Sequence, residues 1–136
     1  MGAKAALFCG DSVLVYLRDD FAGLPWAAMW DLPGGGREGC ESGEDCVLRE
    51  IAEEFGLVLK PERLVFRLEL PSMTDPARMS WLFAGRVTSE EISAIRFGDE
   101  GQHWELMPVE IFVTHPRGIP EMQRRVTLAQ AAVRPA

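Results

Sequence analysis

The sequence contains few cysteines and no long apolar run. Its three cysteines are odd in number, and no two of them are spaced as C-x-x-C. This argues against a zinc site or a disulfide framework and fits reduced thiols in the cytosol. No apolar run is long enough to cross a bilayer, and the N-terminal residues lack the layout of a signal peptide. We therefore expect a cytoplasmic protein with no membrane partner.

The chain also has fewer basic than acidic residues. The chain has 14 lysine and arginine residues against 21 aspartate and glutamate residues, which gives a net charge of −7. A protein that binds a long stretch of nucleic acid usually presents a basic surface, so we expect no nucleic-acid polymer as a partner. A small nucleotide stays compatible with this charge, because metal ions can screen carboxylates from a polyphosphate.

The length and the apolar periodicity predict a single mixed α/β domain over residues 1–136. A chain of this length can bury a real core, and its apolar content of 47% is ordinary for a globular protein. Alternating and helical apolar spacings then separate strands from helices. The predicted strands are 5–9, 13–17, 64–70, 80–87 and 103–107, and the predicted helices are 43–55, 108–113 and 121–133. The predicted loops are 18–30 and 32–42, and the segment that fits either a helical turn or a strand is 88–96.

The first predicted helix carries a concentration of acid on one side. Ser42 is a suitable N-cap, and Gly56 stands where a left-handed residue ends a helix. Glu50, Glu53 and Glu54 are spaced at i, i+3 and i+4, so their carboxylates share one side of the helix. The opposite side is an apolar stripe that would pack on a core.

A solvated face is the usual explanation for such a cluster, but the local sequence argues for a bound cation. Like charges at this spacing cost roughly 0.2–0.5 kcal/mol per pair. No lysine lies between Lys4 and Lys60, and Arg49 is the only base nearby. Carboxylate oxygens are ligands for hard cations, so Mg2+ is expected first and Mn2+ second. We expect Glu53 and Glu54 to face solvent and this metal.

The residues around this helix resemble the signature of the Nudix hydrolases. Gly35 is followed after five residues by Glu41, and seven residues later the run REIAEEFGL occupies residues 49–57. This fills all nine fixed positions of the Nudix box, G-x5-E-x7-R-E-U-x-E-E-x-G-U, where U is a bulky aliphatic residue. The resemblance is strong over residues 31–57 and weaker over most of the rest of the chain. It implies the Nudix fold, a mixed β-sheet between helices with a catalytic loop–helix–loop, and hydrolysis of a nucleoside diphosphate linked to another group.

The resemblance also implies roles for single residues. Arg49 would orient the box glutamates through salt bridges, and Glu41 would be structural. Residues 97–106, FGDEGQHWEL, resemble a loop of MutT-type pyrophosphohydrolases in which a glutamate serves the metal site and the base function. The implied metal ligands are the carbonyl of Gly35 and the carboxylates of Glu50, Glu53, Glu54 and Glu100. The residues left open as the catalytic base are Glu53, Glu54 and Glu100, with His103 as a further alternative.

The sequence indicates the substrate-binding residues less clearly than the metal ligands. Arg18 and Arg37 would add positive charge beside the phosphates. Trp26 and Trp30 precede the glycine-rich loop and are candidates for stacking on a base. The tyrosine that marks dinucleoside polyphosphate hydrolases downstream of the box is missing, because the only tyrosine is Tyr16. We interpret the chain as a MutT-like enzyme acting on a nucleoside triphosphate or a related nucleotide.

Two other Nudix functions stay open. A non-catalytic, nucleotide-sensing domain usually lacks box glutamates that are present here. An isomerase of the isopentenyl-diphosphate type needs more metal-binding histidines than the two in this chain suggest. Homodimers are common in the family, so the resemblance also raises the expectation of a homodimer.

Overall fold

A mixed β-sheet organises the fold, and β1 (Gly2–Cys9) is its central strand. The computed structural model describes residues 2–133. The other strands are β2 (Ser12–Leu17), β3 (Trp30–Asp31), β4 (Gly34–Gly36), β5 (Phe66–Pro71), β6 (Met79–Arg86) and β7 (His103–Pro108). Their order is β3-β2-β1-β6-β5, while β4 pairs with β1 and β7 pairs with β2. β1 and β6 are parallel, and the other pairs are antiparallel.

The described part of the chain also contains four α-helices. They are α1 (Gly43–Phe55), α2 (Ser89–Ser93), α3 (Val109–Phe112) and α4 (Pro120–Ala132). The bounds of α1 are those that the sequence predicted, and the ambiguous segment 88–96 contains α2. Thr88 and Glu91 form a capping box there, in which each side chain accepts a hydrogen bond from the backbone N–H of the other. Within residues 2–133, no helix combines the length and the apolar composition that crossing a membrane requires.

Both faces of the sheet are covered by helices, which is why β1 is buried along most of its length. Successive strand residues point to opposite faces. Leu7 belongs to the apolar cluster that contains Ile51 of α1, whereas Phe8 belongs to the cluster that contains Val126 of α4. The predicted architecture, a mixed sheet between helices with the loop–helix–loop beside it, is therefore confirmed.

Two short strands lie where the sequence predicted loops. Trp30–Asp31 pairs with β2, and Gly34–Gly36 pairs with the first residues of β1. Three consecutive glycines favour a turn locally, but pairing with a distant strand overrides that preference. Glycine is required at position 34, where φ is +136° and an added Cβ would collide with the carbonyl oxygen of Ala3. The other predicted elements are present, with ends shifted by at most three residues.

Gly85 of β6 tests how tightly the sheet is packed. An added Cβ there would collide with the carbonyl oxygen of Arg63. We expect Gly85→Ala to lower the free energy of unfolding by at least about 2 kcal/mol, the usual scale for overpacking a buried site. Urea unfolding followed by circular dichroism measures this loss. Gly36→Ala is the matched control, since no atom lies within 4 Å of its added Cβ. Equal losses in the two variants would contradict the steric explanation.

Candidate active site

The packing of α1 decides which way its acidic side faces. Ser42 caps the first turn with its hydroxyl, and Gly56 ends the helix in the left-handed region. Ile51 is fully buried against the sheet, so the helix cannot rotate about its axis without exposing its apolar stripe. The side that carries Glu50 and Glu54 then faces the glycine strand β4.

Glu54 is buried, contrary to the expectation from the sequence. It is only 6% exposed, and its Oε1 accepts a hydrogen bond from the Gly34 N–H at 2.9 Å. Burial raises the pKa of Glu54 to about 8, while the Gly34 hydrogen bond and the charge of Lys4 act in the opposite direction. The prediction that Glu53 and Glu54 both face solvent is therefore wrong for Glu54, although Glu53 is exposed. Consecutive helix residues point about 100° apart, which separates the two environments.

Arg49 joins the loop before α1 to the acidic side of the helix. Its Nε and Nη2 donate to the two carboxylate oxygens of Glu41 at 2.7 and 3.0 Å. Nη1 donates to Glu50 at 3.0 Å and to Glu53 at 3.2 Å. Nη2 also donates to the carbonyl oxygen of Gly36 at 3.0 Å. This is the geometry that an orienting arginine needs, and the role itself stays a prediction.

These ion pairs compensate part of the negative charge of the cluster. Glu50 and Glu53 share one guanidinium, in the manner that the Nudix resemblance implied for Arg49. The hydrogen bond from Arg49 lowers the pKa of Glu41, whereas burial raises the pKa of Glu50. One positive charge among three carboxylates still leaves this group negative overall.

The backbone of Gly35 lies close to the carboxylate of Glu50. A Cβ at Gly35 would lie 2.7 Å from the Cδ of Glu50 and 2.8 Å from each of its carboxylate oxygens. A side chain at position 35 would therefore have to displace the Glu50 carboxylate. The carbonyl oxygen of Gly35 accepts a long hydrogen bond from the Cys46 thiol at 3.5 Å, and burial raises the pKa of that thiol.

A buried aspartate of β3 accepts hydrogen bonds from residues of β1, of β2 and of the loop after β2. Asp31 is 3% exposed, and its Oδ2 accepts from Lys4 Nζ at 3.0 Å and from Arg18 Nη1 at 3.1 Å. The Tyr16 hydroxyl donates to the same oxygen at 3.3 Å. Sequence reasoning missed Lys4 and Asp31. The one available signal was a lysine inside an otherwise apolar strand, and nothing local marked Asp31.

The predicted phosphate-binding and base residues are spread around this centre. Arg18 is committed to Asp31 and to the carbonyl oxygen of Pro25, and Arg37 is exposed in the loop before α1. Glu100 is exposed in the turn before β7. Its charge contributes to the raised pKa of Glu50, after the larger effect of burial. Glu100 therefore lies within electrostatic range of the box.

Trp30 is part of the core on the α4 side of the sheet. It is 7% exposed, and its ring lies edge-on to His103 and His115 with ring centroids 5.3 and 6.1 Å away. This position does not support the stacking role predicted for Trp30, nor the alternative of His103 as a base beside α1. Trp26 is 43% exposed, so its ring is accessible to a ligand.

A cleft of about 370 Å³ opens beside β4. Gly35 and Gly36 form part of its lining, and Met122 and Arg125 of α4 form another part. The cleft thus extends from the glycine strand, whose other neighbour is Glu50 of α1, to the helix on the other face of the sheet.

The family model described as NUDIX domain matches residues 3–134. The chain belongs to the Nudix family. The enzyme class that the resemblance implied, a Nudix hydrolase, is thereby confirmed.

Solved Nudix structures share this fold. The MutT protein from Methanosarcina mazei Go1 has a TM-score of 0.75 and 19% identity, covering 96% of this chain and 92% of its own. An Ap4A hydrolase from C. elegans has a TM-score of 0.75 and 16% identity, covering 97% of each chain. A bifunctional NMN adenylyltransferase/ADP ribose pyrophosphatase from Francisella tularensis, in complex with AMP and a Mn ion, has a TM-score of 0.72 and 19% identity, covering 96% of this chain and 41% of its own. Among curated proteins, no sequence matches this chain.

The donor atoms of the Nudix box are oxygens, which hard cations prefer as ligands. The Glu50 carboxylate lies against the Gly35 backbone, and Glu50 and Glu53 share Arg49, so the box brings carboxylate and carbonyl oxygens into one region. Within residues 2–133, no three carboxylate, imidazole or thiol side chains form a group that could hold a metal ion as they stand. Arg49 occupies part of the Glu50 and Glu53 carboxylates. The metal ligands therefore stay a prediction.

Glu54 should make the stability of the metal-free Nudix domain depend on pH. Its pKa is about 8 in the folded chain against an ordinary value of 4.5, so the folded chain keeps a proton that the unfolded chain releases between these values. Stability should fall as pH rises across this window, by roughly 2–5 kcal/mol, since one pKa unit corresponds to about 1.4 kcal/mol. Urea unfolding in chelator at several pH values measures the fall.

Glu54→Gln supplies the comparison for this pH profile. The amide keeps an oxygen for the Gly34 N–H and has no proton to lose in this range, so this part of the pH dependence should vanish. Glu110→Gln, at an exposed position of α3, should keep the wild-type profile. Identical profiles for the wild type and Glu54→Gln would contradict a buried, protonated Glu54.

Proposed function

We propose that this Nudix protein is a divalent-cation-dependent pyrophosphohydrolase. It hydrolyses a nucleoside diphosphate linked to another group, by attack of water on phosphorus. The observation that carries the proposal is the contact between the Gly35 backbone and the Glu50 carboxylate at the border of the cleft. The complete box around this contact, in a member of the NUDIX domain family, supports the same chemistry.

The cation would be held by oxygen donors of the box and of the turn before β7. These donors are the Gly35 carbonyl and the carboxylates of Glu50, Glu53, Glu54 and Glu100. They fit Mg2+ first and Mn2+ second, and the Francisella tularensis protein was solved with a Mn ion. When bound, such a cation lowers the pKa of a coordinated water and neutralises charge on the phosphates.

We assign different roles to the buried and the exposed glutamates. Glu54 is buried and holds the glycine strand through the Gly34 N–H. The attacking water must pass a proton to a carboxylate. Glu53 and Glu100 are the exposed carboxylates near Glu50, but Glu53 shares Arg49 with its neighbours. Glu100 has no ion-pair partner among residues 2–133. We therefore assign the base role to Glu100.

The cleft is the proposed binding site for the nucleotide. Its volume of about 370 Å³ lies in the range of small-molecule sites. Lys4, Gly35 and Gly36 line it on the side of the glutamates, where a cation and backbone groups would meet the phosphates. Two similar structures are an Ap4A hydrolase and an ADP ribose pyrophosphatase, so their named substrates are nucleotides. We propose a nucleoside triphosphate or a related nucleotide for this chain.

Several other expectations remain part of the proposal. The net charge of −7 supports a small nucleotide rather than a nucleic-acid polymer as partner. The single domain, the homodimer and the cytoplasmic location stay predictions from the sequence. Size-exclusion chromatography with light scattering decides the oligomeric state.

Turnover should require both a divalent cation and Glu53. With Mg2+, we expect the wild type to release phosphate or pyrophosphate from at least one member of a panel of nucleoside triphosphates, ADP-ribose, nucleotide sugars and dinucleoside polyphosphates. Glu53→Gln should lower kcat roughly 100- to 10,000-fold, because it removes one charge from the proposed metal site. Glu110→Gln should leave kcat unchanged. If no nucleotide were hydrolysed with either Mg2+ or Mn2+, the proposed function would be wrong.

Glu100→Gln tests the base assignment. We expect kcat to fall by at least about 100-fold, the usual contribution of a general base, and the acidic limb of the pH–rate profile to disappear. Asp99→Asn, at the exposed neighbouring position, is the matched control and should keep both. A wild-type kcat in Glu100→Gln would return the base role to Glu53.

A further inference from the structure

Arg125 of α4 is a buried charge that the proposed catalytic residues do not use. It is 2% exposed. Its Nε donates to Oε2 of Glu121 at 2.9 Å, and its Nη2 donates to the Ser80 hydroxyl at 3.1 Å and to the carbonyl oxygen of Pro71 at 3.3 Å. These bonds tie α4 to the hairpin of β5 and β6.

One nitrogen of Arg125 is left for the cleft. A guanidinium carries five N–H donors, and no described residue accepts a hydrogen bond from Nη1. Arg125 lines the cleft, and Nη1 is not among the atoms that are sealed from solvent without a partner. A ligand that brings an acceptor can therefore take the place of solvent at Nη1.

A carboxylate already compensates part of the positive charge at Arg125. Glu121 compensates Arg125, and hydrogen bonds from Arg124 and Arg125 lower the pKa of Glu121, so it is ionised at neutral pH. Asp75 and Arg78 also line the cleft and pair with each other at 3.5 Å. Two carboxylates therefore offset two of the three guanidiniums at this part of the cleft, and a carbonyl oxygen can accept from Arg125 without bringing a further charge.

The rest of the lining suits a flat aromatic ring. Met73 and Met122 present thioethers, which make favourable contacts with aromatic rings. A nucleotide with its phosphates beside Gly35 would thus direct its base toward α4.

The geometry points to Arg125 as the residue that selects the base. Its Nη1 donates to an exocyclic carbonyl oxygen, so the cleft prefers nucleotides with a keto base, such as guanine or uracil. Adenine and cytosine carry an amino group at the corresponding position. That amino group is a hydrogen-bond donor and cannot accept from Nη1 of Arg125. This inference rests on the proposed function and defines the substrate class of the same site.

Nucleoside monophosphates test the inference without hydrolysis, because they contain no phosphoanhydride. We expect isothermal titration calorimetry to show that the wild type binds GMP and UMP about tenfold more tightly than AMP and CMP, the effect of one hydrogen bond to a charged donor. Inosine monophosphate, which has the keto group of GMP without its 2-amino group, should bind like GMP. Equal affinities for inosine monophosphate and AMP would overturn the inference, and they need no variant to be observed.

Arg125→Met keeps an apolar side chain of similar length and removes the donor. It should abolish the preference for GMP over AMP while leaving AMP affinity within about twofold. Arg124→Met is the matched control, because Arg124 shares Glu121 but its side chain is 53% exposed, and it should keep the preference. A preference retained by Arg125→Met would overturn the inference.

Inorganic pyrophosphate separates base selection from phosphate binding. Its affinity should be the same in the wild type and in Arg125→Met, and a loss of about tenfold or more would overturn the inference by showing that Arg125 binds phosphate. These binding results are independent of turnover. Absence of hydrolysis with an intact GMP preference would remove the proposed activity and leave the inference standing.

Discussion

The close approach of the Gly34–Gly36 backbone to both β1 and α1 is the constraint on which the site depends. A side chain at Gly34 would collide with β1, and one at Gly35 would collide with the Glu50 carboxylate. Without these side chains, the same short strand pairs with β1, meets Glu50 and donates a hydrogen bond to Glu54. The helix, the strand and the central sheet are thereby held together, so the oxygens of the box have a defined arrangement.

Burial makes the three glutamates of one motif chemically different. Glu54 lies inside and has a pKa of about 8, Glu50 is partly buried with a raised pKa, and Glu53 reaches solvent beside Arg49. Because desolvation disfavours a charged carboxylate, burial against the sheet raises the pKa of Glu54 and of Glu50. Arg49 forms ion pairs with Glu50 and Glu53 and links them to Glu41.

Predictions succeeded where the signals were local and failed where they were not. The bounds of α1 follow from Ser42, an apolar stripe and Gly56, all within one segment of chain. β3 and β4 exist only through pairing with distant strands, so local composition indicated loops. The burial of Trp30 has the same origin, because its ring became part of the core when β3 joined β2.

From the residues alone, the resemblance to the Nudix box implied the family, the enzyme class and the mixed sheet between helices, and helical spacing predicted the grouping of Glu50, Glu53 and Glu54. The folded chain was needed to show that Glu54 is buried, that Asp31 accepts hydrogen bonds from Lys4 and Arg18, and that Arg125 of α4 lines the cleft beside β4. The Asp31 and Arg125 contacts join residues from separate elements across the sheet. Their distances and burial depend on how the elements pack, which no local pattern encodes.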